Sequence, residues 1–383
     1  MSSTKESSVE GSNMKRKKLD TADKDDDKSS SNNETSKQLN NAEQDETTTG
    51  MTSKDYYFDS YSHYGIHEEM IKDRVRTETY RAAILNNKNL FEGKIVLDVG
   101  CGTGILSMFA AQAGAKHVYG IDCSSIIEQA KKIVKINGFE NQITLIKGKV
   151  EEVELPFPDN QENLKQVDII ISEWMGYFLL YESMLDTVIY ARDKWLVPEN
   201  GIILPDQACM YIGGLEDGNY KGERVDWWNE VYGFDFSPIR EIALQEPIVD
   251  VVNGNAVNTD VVPFLSIDIL TCKKEDLVFN NEFTLTAIRN DYLHGFVAYF
   301  ECAFTQLHKP IGFSTSPFSN YTHWKQTIFY LRDPLTVKEG EQMKGSLSCK
   351  PNASNNRDLD ISINIKFNGE YSKFNGQIDY NLR

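Results

Sequence analysis

Histidine and cysteine are scarce, with six of each in 383 residues. The cysteines, at positions 101, 123, 209, 272, 302 and 349, form no CxxC pair and no cluster with histidine. That argues against a zinc site or a disulfide framework and suits a reducing compartment, so no metal is expected. No apolar run approaches the length of a membrane span, and the opening MSSTKESSVE lacks the hydrophobic stretch of a signal peptide. A soluble intracellular chain with no membrane partner is expected. Basic residues are outnumbered, 40 against 57, and the formal charge of -17 disfavours nonspecific nucleic-acid binding. A basic partner would be attracted instead.

What is present divides into three regions. Residues 1 to about 50 are Ser, Thr, Asn, Asp and Lys without an aromatic, and read as a disordered polar tail. Its run Lys15-Arg-Lys-Lys18 is either a nuclear import signal or a set of solvated lysines. From 51 to 200, short apolar runs (KIVLDVG, HVYGID, ITLIKGKV, VDIIISE) alternate with amphipathic segments (ILSMFAAQAG, IIEQAKKIVKING, YESMLDTVIYARDKWL). This is the pattern of a parallel sheet covered by helices on both faces, an α/β fold. From 201 to 383 the texture is that of strands, clearest in the period-two DLDISINIKF, with Asn368-Gly369 and Asn375-Gly376 as hairpin turns. An antiparallel barrel or sandwich is expected there. It is interrupted by a helical, aromatic-rich insert at about 215 to 245 that carries Trp227, Trp228 and Tyr232.

VLDVGCGTG (96–104) is a buried strand running into a glycine loop and a helix. The glycines let a ligand approach the backbone, but the spacing is GxGxG, and the acid Asp98 before the loop would repel a pyrophosphate. A second acid, Asp122, ends the next strand where such folds meet ribose hydroxyls. Asp98 beside a positive sulfonium and Asp122 on a ribose describe S-adenosylmethionine better than NAD. The alternative is a glycine-rich turn whose two strand-end carboxylates merely cap helices. Lys147 to Glu151, after the third strand, would lie near the adenine.

SEWMGYFLLYESML (172–185) carries two carboxylates, Glu173 and Glu182, nine positions apart among apolar and aromatic residues. Carboxylates are costly to bury without a cation. Glu173 follows the fourth strand and Glu182 opens the next helix, so a folded-back loop would bring both to one guanidinium, whose planar donors suit bidentate contacts; the alternative is one glutamate capping the helix and the other exposed. Holding an arginine in this way localises its charge on one nitrogen and frees the lone pair of another for methylation. A small-molecule or nucleic-acid methyltransferase has no need of this pair, and a noncatalytic relative would be expected to have lost a glutamate or the glycine loop.

These motifs, together with NYTHWKQT (320–327), resemble those of the protein arginine methyltransferases, most closely the main type I enzymes, from about Tyr56 to the carboxyl terminus. The resemblance implies a Rossmann-like class I methyltransferase domain followed by a β-barrel with a helical dimerisation arm. It implies transfer of methyl groups from S-adenosylmethionine to arginine in Arg-Gly-rich and histone-like proteins, giving mono- and asymmetric dimethylarginine. It further implies a homodimer or larger assembly and a place in nucleus and cytoplasm. Glu173 and Glu182 would hold the guanidinium, and His323 would pair with Asp73 to handle a proton or fix a loop. His67, Arg76, Gly100, Gly102, Asp122, Cys123, Val150, Glu151, Met184 and Thr187 would line the cofactor, with Arg76 on its carboxylate. The segment Tyr57 to Tyr64 would close over it as a helix, and Tyr57, Tyr61, Met70 and Trp324 would shape substrate and product. Two departures stand out: Asp122 replaces the glutamate that many members carry, and LPFPDNQENLKQ (155–166) is longer than usual.

Overall fold

The computed structural model describes residues 60–157 and 165–383. The tail, Lys15 to Lys18, Tyr57 and residues 158–164 of the long insert lie outside the described residues.

Five short, apolar strands form a parallel sheet in the order β3-β2-β1-β4-β5: β1 Ile95–Val99, β2 His117–Asp122, β3 Ile143–Lys147, β4 Ile169–Ser172 and β5 Ile202–Leu204. Val96, Leu97, Val99, Ile121, Ile170 and Ile171 are fully or almost fully buried, as expected of strands covered on both faces. Chain order reverses between β1 and β4, so a crevice opens beyond their carboxyl ends, where ligands of such sheets bind. Around it stand α1 (Tyr64–Lys72), α2 (Arg74–Leu85), α4 (Ile105–Gln112), α5 (Ile127–Ile136) and α6 (Met184–Trp195); the short α3 (Lys88–Phe91) leads into β1.

All strands after β5 are antiparallel. One sheet runs β7 (Ile248–Asp250), β12 (Gln326–Val337), β10 (Asp291–Phe304), β6 (Gln207–Leu215), β8 (Val257–Asp268), with β11 (Ile311–Ser314) also on β10. The other runs β15 (Lys373–Leu382), β14 (Leu359–Asn368), β13 (Gln342–Pro351), β9 (Phe279–Thr286). The sheets join at two corners. Thr259 bridges to Ala287, and the Tyr380 hydroxyl donates to the Tyr330 carbonyl at 3.0 Å. Asn368-Gly369 does begin the β14–β15 turn. Asn375-Gly376 does not form one: both residues lie inside β15, where Asn375 pairs with Lys366 and Gly376 with Ile365. The alternating pattern continues through them, and ten paired positions outweigh a two-residue turn preference.

The insert is helical, with α7 (Gly218–Arg224), a 3₁₀ turn (Asp226–Asn229) and α8 (Ser237–Gln245). Its aromatic head faces outward: Trp227 is 49 % exposed, Phe234 69 % and Tyr232 95 %. Its root is ionic. The Lys221 ammonium donates to Asp226 and to the Arg332 carbonyl, and Arg240 reaches the same two groups.

Candidate active site

The glycine loop is folded by its own amides. Gly100 and Cys101 both donate to the Ile121 carbonyl, Gly104 donates to the Cys101 carbonyl, and Gly102 donates to Asp122 Oδ2 at 2.8 Å. The other Asp122 oxygen accepts from the Ser124 amide and hydroxyl. Amides committed in this way are poorly placed to cradle a phosphate, which strengthens the case against a dinucleotide. Gly100 has φ of 72°, so the backbone favours glycine there, and a Cβ would also displace the terminal methyl of Met184, which would lie 2.3 Å away.

Beyond the loop lies a cavity of about 300 Å³. Its wall includes Tyr61, His67, Met70, Arg76, Gly100, Gly102, Asp122, Cys123, Val150, Glu151, Glu173, Glu182, Met184, Thr187 and His323. Carboxylates, a thioether and apolar groups such as Ile105, Leu106 and Val150 share this wall. That donor set fits a ligand that is cationic, bears hydroxyls and is partly apolar, as S-adenosylmethionine is.

The two glutamates reach the wall differently. Glu173 leaves β4 and meets Arg76 of α2, whose Nε lies 2.9 Å from Glu173 Oε2, with both side chains 7 % exposed. Arg76 also donates to the Met70 carbonyl and the Thr77 hydroxyl. Glu182 sits in the 3₁₀ turn Tyr181–Ser183 with φ of 76°, and its Oε2 accepts from the Tyr61 hydroxyl at 2.8 Å. The loop between them holds further left-handed residues, Phe178 and Leu179, both buried. Gly176 is mandatory, because a Cβ would stand 2.1 Å from the Tyr181 carbonyl oxygen.

Asp73 joins two elements. It caps α2 by accepting from the Arg76 amide, and its Oδ2 meets both the His323 amide (2.9 Å) and Nδ1 (2.7 Å). Burial pushes its carboxyl up, but the hydrogen bonds from His323 and Arg76 outweigh burial and hold it below the usual range.

The comparisons agree with this geometry. A family model described as the arginine methyltransferase oligomerization subdomain matches residues 206–370, and one for ribosomal protein L11 methyltransferase matches 81–186. The chain is 58 % identical to protein arginine N-methyltransferase 1 of Chlamydomonas reinhardtii over 332 residues, 87 % of this chain and 94 % of the relative. It is 58 % identical to that of Schizosaccharomyces pombe over 320 residues, 84 % and 92 % of the two chains. The chain belongs to the protein arginine N-methyltransferase family. Among solved structures it is similar to the Trypanosoma brucei PRMT1 enzyme–prozyme heterotetrameric complex with AdoHcy, with a TM-score of 0.81 and 49 % identity, covering 85 % of this chain and all of that one. Arabidopsis thaliana protein arginine methyltransferase 10 follows, with a TM-score of 0.75 and 31 % identity over 85 % of this chain and all of that one. The fold is therefore a Rossmann-like methyltransferase domain with an antiparallel carboxyl-terminal domain, and the protein is an S-adenosylmethionine-dependent arginine methyltransferase.

Three expected site residues of this methyltransferase are off the cavity wall: Asp73, which meets it through His323 and the Arg76 amide, and Asp98 and Trp324, which lie elsewhere than the sequence implied. Asp98 is off the cavity wall, fully buried beneath the glycine loop, where Oδ2 accepts from the Ser107 hydroxyl at 2.6 Å. Burial raises its pKa to about 7, with the Ser107 bonds opposing, so it is a poor source of fixed negative charge for a sulfonium. Trp324 is also off the wall. Its Nε1 donates to the Met175 carbonyl and its ring stacks on Phe313, so it braces the glutamate loop from behind. Conversely, sequence reasoning missed Asn356 and Arg357 of the β13–β14 turn, and the Asp186–Lys274 ion pair at 2.7 Å, all on the wall. The NNRD run and an exposed lysine offered no local signal.

Proposed function

We propose that the enzyme methylates arginine in Arg-Gly-rich and histone-like basic proteins, giving mono- and asymmetric dimethylarginine, and works as a homodimer. The observation that carries this reading is that Glu173 and Glu182 open onto the same cavity as the glycine loop, one of them already holding a guanidinium, that of Arg76. S-adenosylmethionine, when bound, supplies an electrophilic methyl group on a sulfonium. Asp122, Val150, Glu151 and Cys123 would hold its adenosyl part, His67, Arg76, Gly100 and Gly102 its methionine end, and Met184 and Thr187 would line the sulfonium side.

Glu182 and Glu173 orient the substrate guanidinium so that one nitrogen lone pair points away from the localised charge. Glu173 is ion-paired with Arg76, whereas Glu182 accepts from the neutral Tyr61 hydroxyl, so of the two glutamates Glu182 keeps the less compensated charge. The Tyr61 hydroxyl fixes the direction of that carboxylate. Asp73, kept ionised, accepts from the His323 ring and ties the 320–327 segment to α2. Loop fixing accounts for every contact observed there, and the glutamates and water manage the proton. Met70 lies on the wall where it can limit the room for a second methyl.

The exposed Trp227, Tyr232 and Phe234, inside a segment matched by an oligomerization model, support the arm as a dimer contact. The Lys15–Lys18 run supports a nuclear as well as cytoplasmic place, which imaging with and without the run would test. Mass spectrometry after reaction with one Arg-Gly-rich peptide, beside an RNA control, tests the activity. Symmetric product, or label on RNA alone, overturns the reading.

A further inference from the structure

The left-handed turn that carries Glu182 is held by the other domain. Glu182 and Ser183 have φ of 76° and 55°, conformations that cost an ordinary residue on the order of 1–3 kcal/mol each unless the surroundings impose them. Phe178 and Leu179, also left-handed, are locked by burial in the core. Glu182 and Ser183 are only half-buried and have no such lock. Instead the Glu182 amide donates to the Arg357 carbonyl at 2.8 Å, and Arg357 Nη1 donates to the Glu182 carbonyl at 2.6 Å. The Ser183 hydroxyl donates to the Asn356 carbonyl. Both main-chain polar groups of the residue proposed to grip the substrate are thus taken by one residue of the barrel.

The donor turn is itself stiff. Asn352 Oδ1 accepts from the Ser354 and Asn355 amides, Asn352 Nδ2 donates to Asp360, and the Asn355 side chain accepts from the Arg357 amide. A rigid turn presenting two hydrogen bonds to one strained residue fixes the direction in which that residue's side chain leaves the backbone. We propose that Arg357 is a positioning residue for catalysis: the β13–β14 turn sets the Glu182 carboxylate, so that the geometry of the barrel domain is read directly at the methyl-transfer site. Arg357 acts through Glu182 and needs no contact with the reacting atoms.

The inference rests on Glu182 as guanidinium holder, and Glu182→Gln tests that separately. Arg357→Gln is expected to lower kcat at least about tenfold while peptide KM and the calorimetric affinity for S-adenosylhomocysteine change less than about threefold. Arg357→Lys, which restores one donor, should recover part of the loss. Asn352→Ala, which loosens the turn without touching the glutamate loop, should lower kcat in the same direction by less; with Arg357→Lys it decides the matter if Arg357→Gln does not fold. If Glu182→Gln is inactive while Arg357→Gln turns over within about twofold of the parent, the positioning role is overturned and the glutamate assignment stands. If the Arg357 variants lose S-adenosylhomocysteine affinity as much as kcat, Arg357 merely supports the fold.

Discussion

The two glutamates of one loop live under different constraints. Glu173 is at the end of a fully buried strand, nearly dry, and neutralised by Arg76 of its own domain. Glu182 is half-exposed, on a left-handed turn, hydrogen-bonded to Tyr61 and anchored to the barrel. A buried ion pair is hard to break and contributes rigidity. A carboxylate hydrogen-bonded by a neutral hydroxyl, on a turn anchored by its backbone, keeps its charge available and is aimed by that anchor. The loop therefore divides its labour: both ends face the substrate, but Glu173 also holds the site in place through its ion pair with Arg76.

Substitution at each end should separate these roles. The largest effect is expected on stability for Glu173→Gln, which leaves the Arg76 charge buried without a counter-ion; unfolding free energy should fall by roughly 3–5 kcal/mol, measured in urea. A loss under about 1 kcal/mol, as for an exposed pair, would erase the distinction. Glu182→Gln should leave stability nearly intact but lower kcat by about 100-fold or more, about 2.7 kcal/mol of transition-state stabilisation, with cofactor affinity kept. Near-normal turnover would remove the assigned role.

A smaller effect is expected at Asp122, which serves both the loop and the wall. Asp122→Ala should weaken cofactor binding by roughly 1.5–3 kcal/mol in calorimetry. An unchanged affinity would mean that the carboxylate only folds the glycine loop. Smallest is the effect at Asp98, whose folded pKa is raised above its unfolded value. The folded state then binds the extra proton, so stability from this group is complete below about pH 4 and declines as pH rises toward about 7. Asp98→Asn should flatten the fall of Tm across that window. An unaltered profile would show that the burial of Asp98 is not what sets it.

Much of this was legible from local signals. The strand–glycine-loop–helix motif, the switch from mixed to strand texture near 201, and the nine-residue spacing of the glutamates all lie in short stretches of chain, and the structure places Glu173 and Glu182 on one cavity wall. Asp98 was misplaced because strand side chains alternate between faces, and a one-residue difference decides whether an acid meets the cavity or a helix. Arg357 was invisible because its role depends on a contact 175 positions away along the chain. The Arg76–Glu173 pair, separated by 97 positions, was hidden for the same reason.

The ionic root of the arm has a consequence for how copies would meet. Lys221 is 4 % and Arg240 12 % exposed around a shared Asp226, whose carboxyl, though burial pushes it up, is held low by these two cations. Charges so enclosed are weakly screened by salt. The aromatic head is thus mounted on a base that stays set before any partner arrives, and little ordering entropy remains to be lost on docking. Added salt should then favour assembly through the apolar head while leaving its foundation untouched, the reverse of what it does to capture of a basic substrate.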